Sequence, residues 1–258
     1  MNQQELTQLL INTPVNEVRY LNSAGSTNDI ALDWAAQGAP DFALVAADTQ
    51  TAGRGRMQRT WITKPGTALA FSLILRLSPE ETAWASLLPF IAGAAVCSSL
   101  EYQLLLKPQI KWPNDILLND NKAAGILVET TWQDGNATAV VGIGVNITAT
   151  ALLPTEGMAL PATCVETAAG RPVDRWHLLS DILIRLDGWR KSNPDLLISF
   201  ISQRLAYLGQ PVRVINNYGP EITGRLLGID PSGTLLLDTP AGGAQIQAGD
   251  VHLRLKLE

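Results

Sequence analysis

The chain has 258 residues, 46% of them apolar and 17% charged, and its 19 Lys and Arg against 24 Asp and Glu give a formal charge of −5. A chain this apolar buries enough surface to offset its ordering entropy, which excludes disorder, and its length suits one large domain or one with a small companion. The negative balance excludes the broad basic field of a protein that coats nucleic acid, so any anion site must be local.

Met1 to Asn16 is polar, carries Glu5 and lacks the basic-then-apolar pattern of an export signal, so a cytoplasmic protein is expected. Cys97 and Cys164 stand alone in apolar segments, without the spacing of a metal cage or a disulfide framework. Asn28 to Gln37 has helical spacing (Ile30, Leu32, Trp34, Ala35) and stops at Gly38 and Pro40. Phe42 to Ala47 and Leu69 to Leu77 read as strands on either side of a loop rich in Gly, Thr and Arg. Ser78-Pro79-Glu80-Glu81 reads as a capped helix start. The uncharged run that follows, Thr82 to Leu100, approaches the roughly 20 residues of a membrane span. Its Pro89 and hydroxyl residues make it a buried helix instead.

From Ile110 to Ile147 short β-rich runs alternate with turn signals at Asn119-Asp120-Asn121 and Asp134-Gly135-Asn136, an antiparallel meander. Helical stretches are expected over Ala162 to Ala169, Asp174 to Lys191 and Pro194 to Tyr207. The last fifty residues read as short strands (Val212–Ile215, Glu221–Leu227, Thr234–Leu237, Ala244–Gln247, Val251–Leu257), a small β-barrel. The expected organisation is an α+β domain over residues 1–208, a mixed and largely antiparallel sheet covered by helices, with a barrel over 209–258.

Between Thr49 and Pro79 there is no acidic residue but five cations, Arg54, Arg56, Arg59, Lys64 and Arg76. Arg54 and Arg56 alternate with Gly53 and Gly55, so backbone can approach a ligand while guanidinium forks meet oxyanions. A solvated surface loop is the plain alternative. Trp61 ends the cluster, where an indole either stacks on a base or anchors the loop to the core. In Lys111-Trp112-Pro113-Asn114-Asp115, Asp115 is the candidate magnesium ligand, since that ion takes few protein oxygens beside phosphates; an ordinary Asx turn is the alternative. Lys122 precedes Ala123-Ala124-Gly125 in the next hairpin. Gly142 and Gly144 share one strand face and clear room for something flat or for a packed helix. His177 and His252 lie in a helix and a barrel strand, and nothing resembles an activated side-chain nucleophile, so the chemistry is expected to be electrostatic.

Ser26-Thr27-Asn28, Gln50, Gly53-Arg54-Gly55-Arg56 with Arg59 and Trp61, Lys111 to Asp115, Lys122 with Gly125 to Glu129, and Gly142 to Asn146 together resemble the biotin protein ligase family, in order from about residue 20 onward. The resemblance implies a class II synthetase-like sheet followed by an SH3-like barrel. It also implies a two-step reaction in which biotin and MgATP give biotinyl-5′-AMP and pyrophosphate, and a lysine of a biotin carboxyl carrier domain, as in acetyl-CoA carboxylase, then takes the biotinyl group. By position, Ser26, Thr27, Asn28, Gln50, Arg54, Gly55, Arg56 and Lys122 would bind biotin. Arg54, Arg56, Arg59, Trp61, Asn114 and Asn146 would bind the nucleotide. Lys122, Arg56 and Asp115 would be catalytic, with Asp115 on Mg2+ or assisting loss of the acceptor lysine's proton. The resemblance leaves two rivals, a lipoate or octanoate ligase and a non-catalytic biotin or nucleotide sensor. Position 58 is Gln where the family loop often has glycine. Many bacterial relatives carry a preceding DNA-binding domain, for which the residues before the match leave no room, so no operator binding is expected; neither is a membrane partner, and a homodimer is plausible.

Overall fold

A computed structural model describes residues 1–61, 63–133, 135–151, 161–215, 220–247 and 249–253, and it begins with an element that the polar N-terminal sequence does not announce. Helix α1 (Gln3–Leu9) starts at Asn2, whose side chain accepts from the Glu5 N–H while Glu5 accepts from the Asn2 N–H, a reciprocal cap worth about 1 kcal/mol. Its Gln3 side chain brackets strand β1 (Val18–Leu21), donating to Val18 O and accepting from the Tyr20 N–H, both at 2.7 Å. The outer edge of the sheet is thereby occupied.

Helix α2 (Thr27–Ala36) and strands β2 (Ala43–Ala47) and β3 (Ala68–Leu77) follow, with the cationic loop between the two strands. The single helix expected after Ser78 is divided into α3 (Pro79–Ala83), a 3-10 turn over Ala85–Leu87, and α4 (Leu88–Leu104). Pro89 explains the division, because a residue without an N–H opens a helix but cannot continue one. Ala85–Leu104 is long and apolar enough to cross a membrane, yet 72% of its most apolar window is buried within the protein, as for a core helix.

Strands β4 (Gln109–Lys111), β5 (Asp115–Leu118), β6 (Asn121–Gln133) and β7 (Asn136–Asn146) form the meander, although Asp134 of its second turn lies outside the described residues. The sheet order is β1-β2-β3-β7-β6-β5-β4, parallel at β1–β2 and antiparallel elsewhere. Helices α5 (Val165–Ala169), α6 (Arg175–Arg190) and α7 (Pro194–Ser202) are each shorter than expected.

Alternation along the strands gives the sheet two different faces. One face presents Leu69, Phe71, Leu73, Ile126, Ile143 and Val145 to α4, with α6 packed on α4, and this is the main core. On the other face, Ala31, Trp34 and Ala35 of α2 cover Ala43, Val45, Ile74 and Val140. Beyond the N-terminal end of α2, that second face is covered by the cationic loop.

The C-terminal sheet comprises β8 (Pro211–Ile215), β9 (Ile222–Ile229), β10 (Leu235–Thr239), β11 (Gly242–Ile246) and β12 (Asp250–Leu253), antiparallel in the order β11-β10-β9-β8-β12. Residues 254–257 of the expected last strand lie outside the described residues. The turn from Asp230 to Thr234 docks this sheet on the larger one. Trp112 Nε1 donates to Gly233 O at 2.9 Å and Ser86 Oγ to Ser232 O at 3.2 Å. Gly233 has φ +82°, and a Cβ there would stand 2.5 Å from Phe90, so glycine is required on both counts.

Candidate active site

The site lies on the second face, where three glycines interrupt the meander. Strand register sets Ser72 opposite Gly142 and Gly142 opposite Leu127; one pleat along, Ala70 faces Gly144 and Gly144 faces Gly125. Gly125 in turn pairs with Asp115, and Asp115 with Lys111. Directly paired residues share a face, so all of these point to the same side. Gly142 and Gly144 were expected to clear room for something flat or for a packed helix, and the space is taken by the side chain of Asn28 from α2 and by the indole of Trp61. A Cβ on Gly142 would stand 2.9 Å from Asn28 Cγ, and one on Gly144 would stand 2.6 Å from Trp61 Nε1.

At the Gly142 end, Thr27, Asn28, Gln50 and Ser72 form a buried polar cluster. Gln50 Oε1 accepts from the Thr27 N–H at 2.7 Å and from Thr27 Oγ1 at 3.0 Å, which leaves its amide nitrogen as the outward donor. Ser72 Oγ lies 2.6 Å from Asn28 Oδ1, and Asn28 Nδ2 donates to Glu129 Oε2 at 2.9 Å. Ser26, equally buried, is the N-cap residue of α2, without a capping hydrogen bond from its side chain. Ser72 and Glu129 thus join Thr27, Asn28 and Gln50, which with Ser26 were the residues expected there. Ser72 was detectable as the one uncharged polar residue in strand β3, whose other polar residue is Arg76.

The cationic loop is a small hairpin. Trp61 N–H donates to Gly53 O at 2.8 Å, Gly55 N–H to Arg59 O at 2.7 Å, and Arg54 bridges to Thr60. Its indole lies against Gly125 and Gly144 rather than projecting into solvent, with Lys122 Nζ 5.7 Å from the ring centroid. Trp61 Nε1 is buried without a hydrogen-bond partner within the protein. Arg56 reaches from the hairpin tip to Asn114 Oδ1 at 3.3 Å and to Gly249 O at 3.4 Å, spanning the two sheets. Arg59 is exposed in the hairpin. Arg54 departs from expectation. Its guanidinium pairs with Glu129 (2.9 and 2.6 Å) and with Asp29 (2.6 Å), the hydrogen bond to Glu129 foremost in raising its pKa, so acids absent from the loop arrive from α2 and β6.

At the Gly125 end, Lys122 Nζ stands 2.6 Å from Asp115 Oδ1 and the buried Lys111 Nζ 3.6 Å from Asp115 Oδ2. The segment at 161–163 flanks them: Lys122 N–H donates to Pro161 O, and Asn146 Nδ2 donates to Thr163 O at 3.1 Å. Both Asp115 oxygens therefore face ammonium groups. That arrangement does not favour the expected magnesium ligand, because a carboxylate held by two lysines is a poor donor for a hard divalent ion. Among the described residues no three His, Cys, Asp or Glu side chains are grouped to hold a metal. A separate cleft of about 540 Å³ borders Arg56, Asn114, Phe90, Trp112 and Ser232–Thr234 but includes none of the polar cluster or the glycines.

Residues 20–146 match the biotin/lipoate A/B protein ligase family, and residues 207–254 match the biotin protein ligase C-terminal domain. The chain is 36% identical to the biotin–[acetyl-CoA-carboxylase] ligase of Paracoccus denitrificans, over 88% of this chain and 96% of that protein. It is 33% identical to the bifunctional ligase/repressor BirA of Bacillus subtilis, over 91% of this chain and 73% of that one. Among solved structures it resembles the biotin protein ligase of Aquifex aeolicus in complex with biotin and ATP, with a TM-score of 0.78 and 29% identity over 93% of this chain and 99% of that one. With a polar cluster and an ammonium pair at opposite ends of one glycine-lined face, and with these likenesses over nearly its whole length, the chain belongs to the biotin protein ligase family.

Proposed function

We propose that the chain activates biotin as biotinyl-5′-AMP and transfers the biotinyl group to a lysine of a biotin carboxyl carrier domain. The observation that carries this reading is the division of the second face into a buried polar end at Thr27, Asn28 and Gln50 and an end where two ammonium groups, Lys122 and Lys111, gather at Asp115. A molecule with a polar ring at one terminus and a carboxylate at the other matches both ends; a lipoyl group, whose ring is apolar, matches one. Relatives named as biotin–[acetyl-CoA-carboxylase] ligases support the same acceptor class.

The physical task of the first step is to bring a carboxylate against the α-phosphorus despite charge repulsion. The carboxylate oxygen forms a bond to phosphorus and pyrophosphate leaves. Lys122, oriented by Asp115, neutralises the carboxylate and then the acyl phosphate, and Arg56 supplies a second cation from the hairpin tip. Asp115 is thus assigned to orientation. Magnesium enters as part of the MgATP substrate, held by phosphate oxygens and water. The unpartnered Trp61 N–H offers a donor to the same anionic groups. The hairpin shields the mixed anhydride from water until the neutral amine of the acceptor attacks the acyl carbon and AMP departs.

We assign residues 1–208 to the catalytic domain and 209–258 to a C-terminal domain, the latter supported by the family match at 207–254. The reaction is assigned to the cytoplasm, where the free cysteines Cys97 and Cys164 suit a reducing compartment. The test is pyrophosphate release with biotin and MgATP, followed by the mass of an added carrier domain. Release dependent on both substrates and a gain of one biotinyl group support the reading; equal turnover of lipoate, or binding without release, overturns it.

A further inference from the structure

We infer that Glu129 is a positioning residue for adenylate formation, acting through Arg54 to hold the Gly53–Trp61 hairpin closed over the site. The inference rests on the ligase reading above. Glu129 lies on β6, one pleat beyond Leu127 and on the same face as Gly125, where a single carboxylate joins three separate elements. Its two oxygens take both ends of the Arg54 guanidinium, Oε1 from Nη1 at 2.9 Å and Oε2 from Nη2 at 2.6 Å. Oε2 also accepts from Asn28 Nδ2 on α2 at 2.9 Å.

A fork of this kind fixes orientation as well as distance, and only arginine and a carboxylate supply it. The mechanical consequence follows from the hairpin's own bonds. Arg54 is bridged to Thr60, and its neighbour Gly53 accepts from the Trp61 N–H, so pinning Arg54 also pins the strand that carries the indole. Trp61 then rests against Gly125 and Gly144, and the hairpin tip presents Arg56 at Asn114. Asp29 adds a second contact to Arg54 at 2.6 Å, but its side chain is 55% exposed against 27% for Glu129, so solvent screens it more. Because Glu129 takes both ends of the Arg54 guanidinium and Asp29 adds a further contact, the part assigned to Arg54 is to fasten the hairpin.

Glu129→Gln separates this role from simple folding. The glutamine keeps an oxygen to accept from Asn28 but removes the charge and the symmetrical fork that Arg54 needs. Three readouts decide the matter: trypsin cleavage within Gly53–Arg59 without substrates, the KM for biotin, and the melting temperature. We expect cleavage to accelerate several-fold and KM to rise about tenfold, equivalent to about 1.4 kcal/mol, with an unchanged melting temperature. In an Arg54→Ala background, Glu129→Gln should add less than about twofold, since the two residues act as one unit. Cleavage at the wild-type rate, or multiplying effects of the two substitutions, would overturn the role. Cleavage and melting are read without biotin or ATP. A wild-type protein that forms no adenylate would therefore refute the ligase reading while the hairpin measurement still decides whether Glu129 fastens the loop.

Discussion

Gly144→Ala tests the placement of the hairpin, because the added methyl enters space that Trp61 holds. A Cβ at this position would stand 2.6 Å from Trp61 Nε1 and 2.7 Å from Cζ2, where ordinary contact begins at 3.4 Å. The indole must therefore lift by roughly 1 Å, a gap that forfeits between a quarter and a half of each dispersion contact it makes. Overpacking of this kind costs about 1–3 kcal/mol. In a rigid core that sum would appear as lost stability. Trp61 instead belongs to the hairpin between β2 and β3, and Gly144 sits in extended strand that accepts alanine, so the cost is expected to fall on the hairpin's closure. A penalty of this size lowers the closed fraction about 5- to 150-fold. Calorimetric titration with biotin should accordingly show a dissociation constant weakened by at least about fivefold. The melting temperature should stay near that of the wild type. Wild-type affinity would show that the indole does not rest on Gly144, and a large fall in melting temperature would show that the hairpin is part of the core.

Other substitutions probe the two ends of the site and the scaffold behind it. Asp115→Ala leaves Lys111 and Lys122 facing each other without their common carboxylate, and denaturant unfolding should show a loss of about 3–5 kcal/mol; a loss under about 1 kcal/mol would mean that the lysines are solvated. Ser72→Ala removes the hydroxyl beside Asn28 Oδ1 in a fully buried setting, which should destabilise by about 1–3 kcal/mol and weaken biotin binding; unchanged affinity would detach the cluster from substrate recognition. Burial pushes the Glu81 carboxyl up, but hydrogen bonds from Arg190 and from the Ser78 N–H outweigh it and hold the group below its ordinary value of 4.5. A depressed carboxyl stabilises the fold above that ordinary value, and the contribution is lost as pH falls through the lower, folded value. Glu81→Gln should therefore show a shallower loss of stability below pH 4.5 than the wild type, and identical acid limbs would remove this pair from the acid response.

What the sequence discloses about this molecule depends on whether the cause is local. The helix α4 and strands β3, β5, β6 and β7 are legible because each is an apolar or β-rich run with turn signals near its ends, whereas the three residues of β4 are too few to stand out. β1 is not, since four residues (Val-Arg-Tyr-Leu) are too short an alternation to stand out and become a strand only by pairing with β2, and α1 declares itself only through the Asn2–Glu5 cap. The same divide runs through the site. The Gly-Arg-Gly-Arg loop, the Lys-Trp-Pro-Asn-Asp turn and the paired glycines each stand out within a few residues. The partners of Arg54 do not, because Asp29 and Glu129 lie on other elements, the second of them 75 positions away in sequence. An acid-free loop therefore reads as a set of waiting cations although Arg54 is already paired with acids from elsewhere in the chain. Strand register likewise decides what the glycines admit: Gly142 faces Asn28 and Gly144 faces Trp61 only once β3, β6 and β7 are aligned.

The most direct test of the account follows the carboxylate oxygen. Biotin labelled with heavy oxygen in its carboxylate is incubated with MgATP, the protein and a carrier domain, and the products are weighed. Attack by the carboxylate on the α-phosphorus leaves one labelled oxygen in AMP once the acceptor amine takes the acyl group. Unlabelled AMP beside a biotinylated carrier, or label in pyrophosphate, would contradict an acyl-adenylate held between the polar cluster and Lys122.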